Sequence, residues 1–363
     1  MLSAAEVGRA ETAPLPEPRG PMSASVLSLL HDTPGDAFGR HNGTARVAPE
    51  IATRLDPYGE DLQLALYCCY ELHYRGFAGV SDDREWDPAV LTVRRRLEAE
   101  FLRALRGDVP PGHDVASEVD ALLVEPAEGA GVSHRLHRDG ERWQLLEYVV
   151  HRSIYHLKEA DPQAWVIPRL AGPAKAALVT VEHDEYGTGS PDHMHSTLFA
   201  NMMRELRLCP AYGHYLDHVP GQTLAEVNLM SMCGLHRALR GALVGQFAMV
   251  ELTSSPGSDR LVKAMRRLGL GPAAIRFYDE HVEADAVHEQ IVRRGVLAPM
   301  LAAEPELAAD VVFGIRASLL LGDRLAEHLL GCWDRGVTSL RRPLATAGEL
   351  SGHGPPISTA GSR

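Results

Sequence analysis

From about residue 58 to residue 334 the apolar side chains of this chain recur mostly three or four positions apart, and alternating β-branched runs are nearly absent. Segments patterned in that way bury one stripe against their neighbours and present no period-2 face to a sheet. The expectation is an all-α protein. Amphipathic helices are expected over 58–77, 87–105, 141–158, 173–185, 195–206, 223–238, 243–253, 259–268, 273–293 and 305–334, the third stopped before Asp161-Pro162. No internal repeat is present. The pattern divides the chain into a largely disordered N-terminal segment (1–50), an N-terminal helical region (51–140), a helical core (141–338) and a Gly/Pro/Ser-rich disordered tail (339–363).

Charge and cysteine usage exclude several functions. Of 363 residues, 48 are acidic and 36 basic, for a formal net charge of −12, and no basic cluster occurs. That balance disfavours nucleic acid and anionic membrane as partners. No apolar run reaches the length of about 18 residues needed to span a bilayer, and the first twenty residues lack the contiguous apolar core of a secretory signal. Cys68, Cys69, Cys209, Cys233 and Cys332 are odd in number and lack C-x-x-C spacing. This argues against a disulfide framework or a thiolate zinc site, and a cytoplasmic location is expected. A Rossmann fingerprint, a P-loop, H-E-x-x-H and G-x-S-x-G are all missing. Any chemistry must come from side chains set on helices.

Three segments can supply such side chains. In 277–290, His281, Asp285 and His288 stand at i, i+4 and i+7. At roughly 100° per residue they fall within about 60° on one helical face, a metal-ligand arrangement; the competing reading is a polar surface that happens to carry histidines. Glu251 sits at the end of an almost uncharged apolar helix, where a buried carboxylate is costly unless paired or metal-bound, although a helix end also lets it reach solvent. In 182–199, Glu185 closes one helix and His195 opens the next, and the turn at Gly187 and Gly189 can bring them together; ordinary loop polarity is the alternative. Two further pairs, His214 with His218 and Glu147 with His151, share a helical face but read as surface and structural groups.

Taken together, D-E-Y-G-x-G followed by M-H-x-x-L-F (184–199), F-A-M-V-E-L-T-S-S (247–255) and F-Y-D-E-H-V-E-A-D-A-V-H-E-Q (277–290) resemble the iron-containing redox enzymes of the haem-oxygenase-like diiron oxidase superfamily. The likeness covers roughly 141–334, and YELHYRGF (70–77) is similar to the family's upstream helices. It implies a haem-oxygenase-like helical bundle holding two Fe(II) ions (Mn as the variant) through Glu185, His195, Glu251, His281, Asp285 and His288. Glu182, one turn before Glu185, is the alternative ligand. Such a donor set without cysteine suits Fe(II) or Mn(II), and the absence of Glu-x-x-His disfavours ferritin.

The function so implied is O2-dependent oxidation or oxygenation of a small organic substrate (an amino acid, amine or fatty acid), placed in specialised metabolism by the family's habit. Electrons would come from an external donor such as a ferredoxin-like partner, since no flavin or nicotinamide motif is present. Asn228 and Met232, on the 223–235 helix, are the candidate pocket wall, and folds of this kind often pair as homodimers. The rival readings are a helical binding scaffold without redox work and a Mn- or Zn-dependent hydrolase.

Overall fold

A computed structural model describes residues 12–31, 55–125 and 129–344. Among these the chain is helical and has no strand; its one extended pairing is an isolated bridge between Ala13 and Phe77. In chain order the helices are α1 (Pro21–His31), α2 (Glu60–Glu71), α3 (Pro88–Asp108), α4 (Val115–Leu122), α5 (Val132–Arg138), α6 (Arg142–His156) and α7 (Asp161–Ala164). They continue with α8 (Gly172–Glu185), α9 (His195–Glu205), α10 (Gly221–Leu235), α11 (Arg240–Arg267), α12 (Pro272–Gln290), α13 (Ala298–Ala303) and α14 (Ala308–Asp334). The expected all-α, haem-oxygenase-like architecture is what the chain adopts.

The centre of the bundle is α11, which packs on α12 along one side and α14 along the other. Leu243, Val244, Phe247, Ala248 and Leu252 of α11 are buried, as are Val311, Val312, Ile315 and Leu321 of α14. Glycine sets the closeness of that second contact. A Cβ at Gly245 would overlap the Val311 carbonyl, and one at Gly314 would overlap the Ala242 carbonyl, so the two backbones touch. The sequence suggests a break at 254–258, but α11 runs through Pro256 without interruption. Proline in a helix interior costs about 3 kcal/mol. Here contacts to α12 hold the segment, with Ser255 donating to the Val282 carbonyl and Ser254 to the Asp285 carboxylate. Past α12 the chain keeps turning as a π-helix, Ile291–Leu297, packed on α8.

Both flanks of the chain are more ordered than their composition suggests. Within the segment read as largely disordered, α1 buries Met22, Val26, Leu27 and Leu30 and packs on α2. Its N-terminus is capped by Asp61, which accepts from the backbone N–H groups of Met22 (2.9 Å) and Ser23 (2.7 Å). At the other flank Ser339 and Leu340 are buried. Residues 1–11, 32–54 and 345–363, the remainder of those expectations, lie outside the described residues. No helix among the described residues is long and apolar enough to cross a membrane.

Candidate metal centre

α8 ends at Glu185 and α9 begins at His195, and the intervening turn folds the two back onto each other. Gly187, Thr188 and Gly189 all take positive φ (71°, 52° and 87°). A Cβ on Gly187 would also collide with the backbone of His193 and Met194, so this position requires glycine on two counts. The result is a contact of 2.7 Å between His195 Nδ1 and Glu185 Oε2, both side chains buried.

Two further helices meet this pair. α11 brings Glu251 from its middle, not from a helix end, and so has no route to solvent. α12 brings His281, Asp285 and His288, all buried on one face. Two groups of donors form. Glu159, Glu185, His195 and His281 have ligand atoms within 4.8 Å of one another, as do Glu185, Glu251, Asp285 and His288. Glu185 belongs to both. All six residues singled out in the sequence therefore converge.

Glu159 is the donor the sequence reading missed. It follows α6 in the run Lys158-Glu159-Ala160-Asp161, which reads as a solvated helix end. Its only sequence signal is His156 three positions earlier, whose Nδ1 lies 2.9 Å from Glu159 Oε1. Burial raises the Glu159 pKa, but His156 and His281 outweigh it and hold the carboxyl well below its ordinary range. Its Oε2 is buried with no hydrogen-bond partner. Glu182 is also buried, and both its oxygens are unpartnered, but it stands outside both donor groups. Burial first, then the charges of Glu185 and Glu251, push it up to about 9, so it is neutral at pH 7.

The surrounding contacts orient the imidazoles. His281 Nδ1 donates to the Phe277 carbonyl at 2.7 Å, which leaves Nε2 to face Glu159 at 3.8 Å. His288 turns Nδ1 toward Glu251 (3.1 Å), Glu185 (3.7 Å) and Asp285 (3.7 Å), while Nε2 faces Asp184 at 3.3 Å. This is the arrangement by which a second carboxylate fixes a metal-binding imidazole. Burial disfavours charge on both rings, but the carboxylates prevail: Glu159 foremost takes His281 up to about 10, and Glu251 foremost takes His288 up to about 9. Burial pushes Asp285 up to about 6 against the pull of His281. In the absence of a cation, protons neutralise this cluster.

A cavity of about 340 Å³ opens against it, lined among others by Glu159, Glu185, Glu251, His281 and Asp285. α10 forms part of the wall, as the sequence suggested, but through Glu226 and Met230 and not through Asn228 and Met232. Asn228 points the other way, where its Nδ2 donates to the Gln63 carbonyl and side-chain oxygen, each at 2.8 Å, and Met232 is packed in the core. Glu147 accepts from Trp333 Nε1 and from Ser339, and His151 contacts Thr223 and Ser339, so both tie the C-terminal segment to α6. The His214 and His218 rings stack 6.3 Å apart and join no donor group among the described residues.

Residues 146–323 match the family model of the iron-containing redox enzymes. That stretch, just under half of the chain, is similar to this family. The chain is also similar to a nitrosourea synthase from Streptomyces achromogenes subsp. streptozoticus, 26% identical over 171 residues, which is 46% of this chain and 36% of that protein. The chain thus matches little more than a third of the relative's length. Glu159, Glu185, His195, Glu251, His281, Asp285 and His288 all fall within the stretch shared with the iron-containing redox enzymes.

Proposed function

We propose that this protein is an O2-dependent non-haem diiron oxidase or oxygenase acting on a small organic molecule. The observation that carries the reading is the pair of buried donor groups sharing Glu185 at the wall of a cavity of about 340 Å³. The residues fit such ions. Four carboxylates balance two divalent cations, the imidazoles and carboxylates suit Fe(II), and the unpartnered Glu159 Oε2 is a buried acceptor in need of a cation.

In this reading Glu159, His195 and His281 would hold one iron and Glu251, Asp285 and His288 the other, with Glu185 available to both. When bound, the two ions supply electrons to dioxygen beside the substrate. The protein positions the donors. Phe277 O and Asp184 fix the His281 and His288 tautomers, and Ser254 orients Asp285. The apolar wall formed by Phe247, Leu261, Leu325 and Leu329 excludes water. Replacement electrons come from an external donor of the ferredoxin kind or a small reductant, and the similarity to a nitrosourea synthase supports a small nitrogen-containing substrate.

Anaerobic titration with Fe(II), followed by admission of oxygen, tests this reading. Two irons per chain and an oxygen-dependent transient absorption band are expected, and Glu185→Ala should abolish binding at both positions. A fully folded protein that takes up no iron would overturn the reading, and a turnover rate indifferent to oxygen would point to hydrolysis.

A further inference from the structure

Along the wall of the same cavity lies a charged pair that the donor groups do not use. Arg152 of α6 donates from Nη1 to Glu226 Oε2 of α10 at 3.1 Å. Both side chains line the cavity, with 25% and 16% of their surface still open. Tyr148, Tyr155 and His156 belong to the same face of α6 and the same wall. Arg152 therefore stands one helical turn, about 6 Å along the axis, from the His156 that holds Glu159. A molecule gripped at Arg152 needs only a few bonds to reach the donor groups.

The pair is poorly used as a structural tie. Taking two charges out of water costs about as much as their attraction returns, so a buried ion pair on its own adds little stability. A guanidinium has five N–H donors in a fork that matches a carboxylate. Among the described residues Arg152 spends one donor, on Glu226, and Glu226 accepts from nothing else. The remaining wall offers the Tyr148 and Tyr278 hydroxyls and apolar groups such as Met230 and Leu325.

We propose that Arg152 and Glu226 read the substrate, and that the substrate is a small zwitterion of the amino-acid type. Its carboxylate lies on the open N–H edge of Arg152 and its cationic nitrogen on Glu226. The pairing follows from charge balance. A plain acid would bring a negative charge beside Glu226 with nothing to offset it, and a plain amine a positive charge beside Arg152. A zwitterion supplies each member with a counter-charge. The volume, near the lower end of the range for ligand pockets, limits the substrate to this small class. The inference rests on reading the adjoining cluster as the reacting centre only for what happens after binding.

The test is equilibrium binding under anaerobic conditions, with iron counted in every sample. The Fe(II)-loaded protein and its iron-free form are titrated with each of the twenty proteinogenic L-amino acids. The tightest binder is then compared with its deaminated acid and its decarboxylated amine. Each deletion is expected to weaken binding about tenfold or more. Arg152→Lys and Glu226→Gln should weaken the zwitterion likewise at unchanged iron content. Gly322→Ala covers the case in which those variants do not fold. Its methyl would sit 3.7 Å from Glu226 Oε1, ordinary contact that leaves the ion pair intact while narrowing the room beside it, and it too should weaken binding. Absence of binding by every amino acid, an acid or amine bound as tightly as the zwitterion, or full affinity in every variant that folds would overturn the proposal. Zwitterion binding with no iron uptake would support it and overturn the diiron reading alone.

Discussion

At the scale of single residues, placing Glu159 among the donors predicts that Glu159→Ala binds about one iron per chain where the parent protein binds two, measured by metal analysis after desalting. Glu159 and the Arg152–Glu226 pair are not legible in the sequence, since each takes its meaning from a side chain on another element. His281, Asp285 and His288 are legible through helical periodicity, because spacing encodes a face, and Glu251 through its isolation in an apolar run. Electrostatics gives a second prediction. His281 and His288, raised to about 10 and about 9, lend the metal-free fold stability that is complete below the ordinary histidine value and lost as pH rises through those values. Asp285 and Glu182, raised to about 6 and about 9, favour the protonated fold and act with the same sign. Glu159, held low, has its opposite effect only below the ordinary carboxylate value, and His151 and His156, lowered by burial to about 3 and about 4, have theirs only below the ordinary histidine value. Metal-free protein should therefore melt at progressively lower temperature between about pH 6.5 and about 9, whereas iron affinity should rise over the same interval as bound protons are displaced. Thermal unfolding with and without chelator across that range checks both signs.

At the scale of elements, the positions of most helices followed from apolar spacing. The continuity of α11 did not, because Pro256 is a local signal for a break and the contacts that overrule it, from Ser254 and Ser255 to α12, are tertiary. The same holds for the backbone contact of α11 with α14. A glycine in a helical pattern reads as a weak point, yet Gly245 and Gly314 are where two helices meet without side chains between them. Gly314→Ala gains a few tenths to about 1 kcal/mol of helix propensity but must force the helices apart. A net loss of about 1–3 kcal/mol, typical of overpacking, is expected from urea unfolding.

At the scale of the whole molecule, the N-terminal helical region is fastened to the core by a buried ion pair next to the donor cluster. Lys158 Nζ lies 3.0 Å from Glu71 Oε2, each side chain 1% exposed, with the Tyr212 hydroxyl donating to the same carboxylate and the Tyr67 and Tyr74 rings flanking the ammonium. Removing one partner strands a charge in the interior, so Glu71→Ala should cost about 3–5 kcal/mol in urea unfolding. Because Lys158 precedes Glu159, the variant should also loosen iron binding, read as a weaker apparent Kd. The composition of the flanks hid this attachment, since α1 and α2 are stabilised by what they pack on more than by their own sequence.

One contact bears on how the interior communicates with the medium. Asp184 keeps 39% of its side chain in water while its carboxylate touches His288, which is 1% exposed. Protons evicted by an arriving cation thus have an exit by relay, from ring nitrogen to surface carboxylate to buffer, with no helix displaced. The donor cluster is thus buried yet in acid–base contact with the medium through one surface carboxylate.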